Sequence, residues 1–345
     1  MNRAAIYRTI AIIACILCFG VVVLGAYVRL SNAGLGCPDW PGCYGHLTPS
    51  GAAADVQTRV APLAGRALEI GKAWREMVHR YAAGTLATLI VVLTVLAIVW
   101  RRQRNASVAL ACALLVIVLL QALLGMLTVT WQLKPAIVTS HLLFGFTTLA
   151  LLWWLVLRLS LWQRARVWSP AGAARSSAQA SARTLAALAL VLLVLQIALG
   201  GWTSSNYAAI ACPDLPTCQG SWWPPADFQS GFVLWRDLDV NYEGGILTSA
   251  ARVAIHFTHR LGALVVTVAL VTAAAAAFRL RGNYLAQLAA GILLAALTLQ
   301  LAIGITMVLK GFPLWIATLH NAGAALLLLA TLALNRAVRP PAAIT

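Results

Sequence analysis

The chain has 345 residues, of which 61% are apolar and only 10% charged, with a mean hydropathy of +0.84. A water-soluble fold of that composition would expose apolar surface everywhere, so its main solvent must be lipid. The net charge of +16, from 25 Lys and Arg against 9 Asp and Glu, would suggest nucleic acid in a soluble protein, but the placement of the charges excludes that partner.

Uncharged apolar runs long enough to cross about 30 Å of hydrocarbon as helices fall at roughly 9–29, 81–100, 108–130, 138–157, 184–203, 261–278, 285–309 and 314–334. Residues 1–30, with Arg3 and Arg8 ahead of an apolar run, have the outline of a signal peptide. The internal repeat described below marks them instead as a retained first helix. An even number of spans puts both termini on one side of the membrane. With the N-terminus cytoplasmic, the inner segments carry 14 basic residues, from Arg3 to Arg339, and no acid. All nine acids lie on the other side, beside the remaining 11 basic residues. Basic residues of short loops stay in the cytoplasm, so the expectation is a multi-pass protein of the inner (cytoplasmic) membrane with both termini cytoplasmic.

Two long outward loops, about 30–75 and 204–253, are rich in Gly, Pro, Trp and acid. The Ala/Ser/Arg-rich segment 158–183 reads as a cytoplasmic linker between an N-terminal four-helix half, 1–157, and a C-terminal four-helix half, 184–345. Trp100, Trp131, Trp153, Trp202 and Trp315 lie near expected helix ends, as interfacial aromatics do. The stretch 219–250, with Trp222-Trp223-Pro224-Pro225, has no assigned role.

The halves repeat. Leu24-Gly25-Ala26-Tyr27, Cys37-Pro38-Asp39, Pro41 and Cys43 correspond to Leu199-Gly200-Gly201-Trp202, Cys212-Pro213-Asp214, Pro216 and Cys218 at a constant offset of 175. His79-Arg80 corresponds to His259-Arg260 at 180, and Gln121, Gly125 and His141 to Gln300, Gly304 and His320 at 179. Three blocks in the same order point to a tandem duplication. Four helices per half keep the copies in one orientation, with a pseudo-two-fold axis along the membrane normal. The fold class is an all-α integral membrane protein of eight transmembrane helices in two four-helix bundles.

His79, His141, His259 and His320 lie at or near the outward starts of the even-numbered spans. A lone His there reads as an interfacial group wetted by headgroups. Two per half, in both halves, favour paired imidazoles across a four-helix bundle, a common way to hold haem iron in a membrane. Zinc fits less well, because two His with one carboxylate leave its coordination incomplete. The repeat breaks at Glu76, one turn before His79 on the same helix face, whose equivalent is His256. A carboxylate in a partly desolvated pocket can move protons or stabilise developing positive charge; the plainer alternative is an ion pair with Arg75 or Arg80. This asymmetry suggests one reactive site and one electron-transfer site. Arg80 and Arg260 follow their His directly and anchor either a haem propionate or a lipid phosphate. Gln121 and Gln300 are read as interhelical hydrogen-bonding residues.

Cys37 with Cys43 and Cys212 with Cys218 share outward loops with Cys-x5-Cys spacing. On an oxidising face such pairs are expected as disulfides, each worth about 2–3 kcal/mol. Redox activity of the first pair and metal ligation are the alternatives. Cys15, Cys18 and Cys112 read as packing residues and His46 as structural.

The constellation Glu76-Met77-Val78-His79-Arg80, His141, His259, His320 and the two Cys pairs resembles the haem A synthases, a family of bacterial enzymes with mitochondrial counterparts, over about residues 10–335. The resemblance implies an oxidoreductase acting on a CH group, which converts a methyl substituent of haem O through an alcohol to the formyl group of haem A for cytochrome oxidase. It further implies iron ligation of the substrate haem by His79 and His141, with Glu76 near the reacting methyl, and a haem b cofactor on His259 and His320. The protein partners it admits are haem O synthase and oxidase assembly factors. The rival readings are a dihaem b-type electron carrier and a haem carrier in oxidase assembly.

Overall fold

The computed structural model describes residues 3–58, 68–102, 107–159 and 177–339. Among the described residues eight helices are long and apolar enough to cross a membrane: α1 (Arg3–Leu30), α2 (Ile70–Val99), α3 (Val108–Thr130), α4 (Pro135–Leu159), α5 (Ser177–Ser205), α6 (Ser249–Phe278), α7 (Tyr284–Leu309) and α8 (Leu314–Ala337). The chain is thus all-α and multi-pass. Among the described residues the only strand-like pairings are two isolated bridges in the loops.

Every expected span coincides with a helix, but several helices run well past their apolar segment. α2 begins at Ile70 rather than 81, α6 at Ser249 rather than 261, and α5 at Ser177 rather than 184. Hydropathy sees only the lipid-facing stretch, whereas the first turns of α2 and α6 are wrapped by the loops, which satisfy their polar groups. Thr248 caps α6 by accepting from the Ala251 N–H at 3.3 Å. The loops are correspondingly shorter than 30–75 and 204–253. The first contains a helix at Pro49–Thr58, and the second one helical turn at Phe228–Gly231. Of the linker 158–183, residues 177–183 are helical and 160–176 lie outside the described residues.

In the first half α1 packs on α2 and α4, and α3 closes the ring between α2 and α4. In the second half α5, α6, α7 and α8 close in the same way. The halves meet through α4 against α8, flanked by α1 on α8 and α5 on α4. Small residues let these backbones approach: Ala11 and Ala14 of α1, Ala186 and Ala189 of α5, and Ala289 and Ala290 of α7 are fully buried. Polar groups stitch the seam. Asn321 Nδ2 donates to the Val22 carbonyl at 3.3 Å and Trp153 Nε1 to that of Leu329 at 2.9 Å, while within the second half Asn335 Nδ2 of α8 donates to the Ala186 carbonyl of α5 at 2.8 Å. Trp153 and Trp202 thus turn their indole N–H groups to carbonyls of the protein. Trp202 is buried with its indole N–H on the Gly231 carbonyl at 2.9 Å, because a buried indole needs an acceptor.

The long second loop straps the halves together. Tyr242 N–H donates to the Gln132 carbonyl in the α3–α4 turn at 3.1 Å. Beside it, Lys134 is only 1% exposed and lays its ammonium 3.6 Å from the centre of the Trp235 ring.

Candidate functional site

The two Cys pairs are disulfides within their loops, Cys37–Cys43 and Cys212–Cys218, with Cα separations of 4.8 and 4.7 Å. Each loop closes the same small knot. Cys43 N–H donates to His46 O at 2.8 Å, and Cys218 N–H to Ser221 O at 2.9 Å. The residue after Cys-Pro caps the turn: Asp39 accepts from Tyr44 and Gly45 N–H (2.5 and 2.8 Å), and Asp214 from Gln219 and Gly220 N–H (2.6 and 3.0 Å). Tyr44, Gly45, Gln219 and Gly220 all have positive φ, and the aspartates hold that conformation in place. His46 acts through its backbone here, and its counterpart is a serine. The Thr217 hydroxyl, and after it the Gly220 N–H, hold the solvent-facing Asp214 carboxyl at about 2. This cap is complete above about pH 4 and is lost as pH falls through the folded value.

The knots dock on α2 and α6 through arginine. Arg80 donates through Nη1 to the carbonyls of Asp39 (2.8 Å), Pro41 (3.3 Å) and Gly42, and through Nη2 to Glu76. Arg260 donates to the carbonyls of Asp214 and Thr217 (both 2.8 Å) and Cys212 (2.7 Å), and through Nε to His256 Nε2 at 3.3 Å. Both arginines are thus engaged by their own loops. Glu76 is 4% exposed and does pair with Arg80, and its other oxygen accepts from the Cys37 N–H at 2.9 Å. His256, also 4% exposed, takes the equivalent place. Losing the Cys37–Cys43 bond should therefore loosen the carboxylate as well as the loop. Cys43→Ser is expected to cost about 2–3 kcal/mol of loop stability, and peptide mass spectrometry without reductant should find both intraloop bonds.

His79, His141, His259 and His320 lie within their helices, up to three turns in from the start, and all line one cavity of about 1570 Å³. That exceeds the roughly 300–1,000 Å³ of an ordinary small-molecule pocket. His79 and His141 lie within electrostatic range of each other, as do His259 and His320. Each imidazole is seated against a glycine of a neighbouring helix. A Cβ on Gly25 would fall 2.9 Å from His79, on Gly125 3.3 Å from His141, on Gly200 3.2 Å from His259, and on Gly304 3.0 Å from His320. Nδ1 of His79, His141 and His320 is buried without a hydrogen-bond partner. Gln196 Nε2 lies 3.1 Å from His259 Nδ1 and donates to that residue's carbonyl at 2.8 Å, while Gln300 Nε2 lies 3.3 Å from His320 Nε2. Gln300 thus joins α7 to α8 by a hydrogen bond, as expected, and its partner is a histidine. Among the described residues no three His, Cys, Asp or Glu side chains gather as a metal site, so the arrangement suits two-coordinate axial ligation better than zinc.

Glu76, Arg80, His256 and Arg260 line the same cavity, so it gathers all the expected site residues of the helices, while Cys37, Cys43, Cys212 and Cys218 stand behind it in the knots. Cys15 and Cys18 are buried free thiols that pack as expected. Sequence reasoning missed the steric role of the four glycines, whose signal was their place in the repeat. It also missed Gln196, Arg29 and Tyr207, which the repeat could not signal because their counterpart positions 21, 204 and 32 hold Val, Ser and Asn.

Residues 8–332 match the COX15-CtaA family, described as cytochrome oxidase assembly protein. The chain is 40% identical over 318 residues to Heme A synthase of Shewanella oneidensis, covering 91% of each chain. It is 28% identical over 343 residues to Heme A synthase of a Caulobacter species, covering 95% of each, and 25% identical over 321 residues to that of Halalkalibacterium halodurans, covering 91% of this chain and 92% of the relative. The cavity, its histidines and these matches over nearly the whole length lead to one conclusion: the chain belongs to the COX15-CtaA family of cytochrome oxidase assembly proteins.

Proposed function

We propose that this protein is a haem A synthase, oxidising a methyl group of haem O through an alcohol to the formyl group of haem A for cytochrome oxidase. One observation carries the reading. A single cavity is lined by two imidazole pairs of like construction, and only one pair has a carboxylate beside it. The residues fit haem: paired imidazoles on the wall of one cavity, glycine seats that let a flat macrocycle lie close to the helices, and otherwise largely apolar walls.

In this reading His79 and His141 hold the substrate haem in α1–α4, and His259 and His320 hold a resident haem b in α5–α8. When bound, haem iron supplies the one-electron chemistry and the route for electrons. Methyl to formyl, with oxygen from water, releases four electrons and four protons, and the electrons leave to an acceptor outside the chain. Glu76 lies one turn from His79, where its carboxylate stabilises positive charge developing at the reacting carbon and accepts a proton from the adding oxygen. Arg80 and the Cys37 N–H orient that carboxylate and keep it in place. The apolar walls and the loop knots limit water to what the reaction consumes.

The halves are read as a tandem duplication about an axis along the membrane normal. Matched loop knots, glycine seats and exchange-related contacts between halves support this. The basic residues of the short loops support cytoplasmic termini in the inner membrane. Haem O synthase and oxidase assembly factors are the protein partners consistent with this step.

Cells lacking their own haem A synthase but making haem O should yield haem A in pigment extracts once this chain is expressed. Extracts holding haem O and haem b alone, with the protein present in the membrane, would overturn the proposal and favour a dihaem carrier. A second test concerns the seats. Gly200→Val is expected to push His259 aside and lower the haem content of the purified protein severalfold, read by pyridine haemochrome; unchanged content would contradict the seat.

A further inference from the structure

The haem reading leaves open what neutralises the propionates, two carboxylates on the edge of an otherwise apolar ligand. Three cations line the cavity: Arg29, Arg80 and Arg260. The last two are engaged by loop carbonyls, as described above. Arg29 differs. It lies in the last turn of α1, four residues after Gly25 and so on the same helix face, one turn outward of the His79 seat. Its Nη2 reaches across the seam to the carbonyls of Ser204 (2.9 Å) and Ser205 (3.4 Å), and its guanidinium stacks 4.1 Å from the centre of the Tyr207 ring. Ser204 in turn is one turn outward of Gly200, the seat of His259. Arg29 therefore stands between the outward edges of both histidine pairs.

Arg29 Nε is buried without a partner, and the buried Tyr207 hydroxyl, which meets no side chain other than the Arg29 guanidinium, finds no acceptor for its proton. Among the described residues no carboxylate forms an ion pair with Arg29; Glu243 acts on it only at longer range. A buried cation beside an unused hydroxyl, both on the wall of a ligand cavity, asks for an anion, because leaving such groups unpaired is costly. Resting on the haem reading, we propose that Arg29 and Tyr207 form a carboxylate subsite, contributed by both halves, that takes a haem propionate. The shared ligand chemistry is the carboxylate, whether it belongs to the resident haem or to the substrate.

Haem b and its dimethyl ester, which lacks the carboxylates, test this by absorbance titration of the purified apoprotein. Wild type is expected to bind the ester about ten- to a hundredfold more weakly, as befits a lost charge-assisted pair. In Arg29→Gln that gap should close, because the free acid loses affinity and the ester does not. Tyr207→Phe, which leaves the α1–α5 contact intact, should narrow the gap. A gap of wild-type size in both variants, or none in wild type, overturns the subsite; a purely structural Arg29 would weaken acid and ester alike. Repeating the titration with His79 and His141, or His259 and His320, replaced by Ala shows which haem supplies the carboxylate. Failure of the wild type to bind either compound would overturn the haem reading itself, whereas a carboxylate-blind Arg29 overturns only the subsite.

Discussion

Replacing Glu76 by Gln should end haem A formation while leaving the fold and haem binding intact. The amide keeps the size of the side chain, and its oxygen can still accept from the Cys37 N–H. What it loses is charge, together with the acceptor that faces Arg80. The second half shows that the fold does not require that charge. With His256 at the equivalent position, Arg260 still holds three loop carbonyls and still meets the side chain at 3.3 Å. A structural Glu76 would therefore tolerate the change, and a chemical one would not. Removing one preorganised electrostatic group from a buried site slows reactions by roughly 10²–10³-fold, which at matched expression means haem O, or the alcohol, in place of haem A. Chromatography of extracted haems reads this directly. Near-normal haem A would reduce Glu76 to a partner of Arg80. The reverse change, His256→Glu, should leave the second half without activity if, as proposed, that half holds a fixed electron-carrying haem.

The second large effect is expected at the other histidine pair. If His259 and His320 hold haem b as proposed, His259→Ala or His320→Ala should abolish the low-spin haem spectrum of the purified protein, with haem content falling well below half. Gln196 should matter there too. Its Nε2 is held by the His259 carbonyl at 2.8 Å and lies 3.1 Å from His259 Nδ1, so the amide fixes the orientation of the ring as an outer partner of a ligand does. Gln196→Leu should weaken haem retention by about 10–100-fold, the usual scale of an outer-shell partner. Full haem in both histidine variants would remove the assignment.

Much of this was legible in the chain. The eight spans followed from hydropathy because lipid leaves little alternative. The disulfides followed from short spacing within one loop on the oxidising side. Helix starts did not follow, because the polar turns 70–80 and 249–260 are sheltered by protein rather than by lipid, a context that no window average sees. Arg80 and Arg260 were recognised as important, but the carbonyls that engage them come from residues about 40 positions away. Likewise the repeat located Gly25, Gly125, Gly200 and Gly304 without saying that each faces an imidazole. It was silent on Arg29, Tyr207 and Gln196 for a simple reason. Comparing halves finds what they share, and these residues act where the halves differ or touch.

The central claim is that the two histidine pairs serve different haems. The direct measurement is haem extraction from purified protein, made in cells that supply haem O, with one pair at a time replaced by Ala. The His79→Ala, His141→Ala protein should keep haem b and contain neither haem O nor haem A. The His259→Ala, His320→Ala protein should lose haem b and retain haem O without converting it. The reverse pattern, or both haem types surviving in both proteins, would contradict the division of labour on which the account rests.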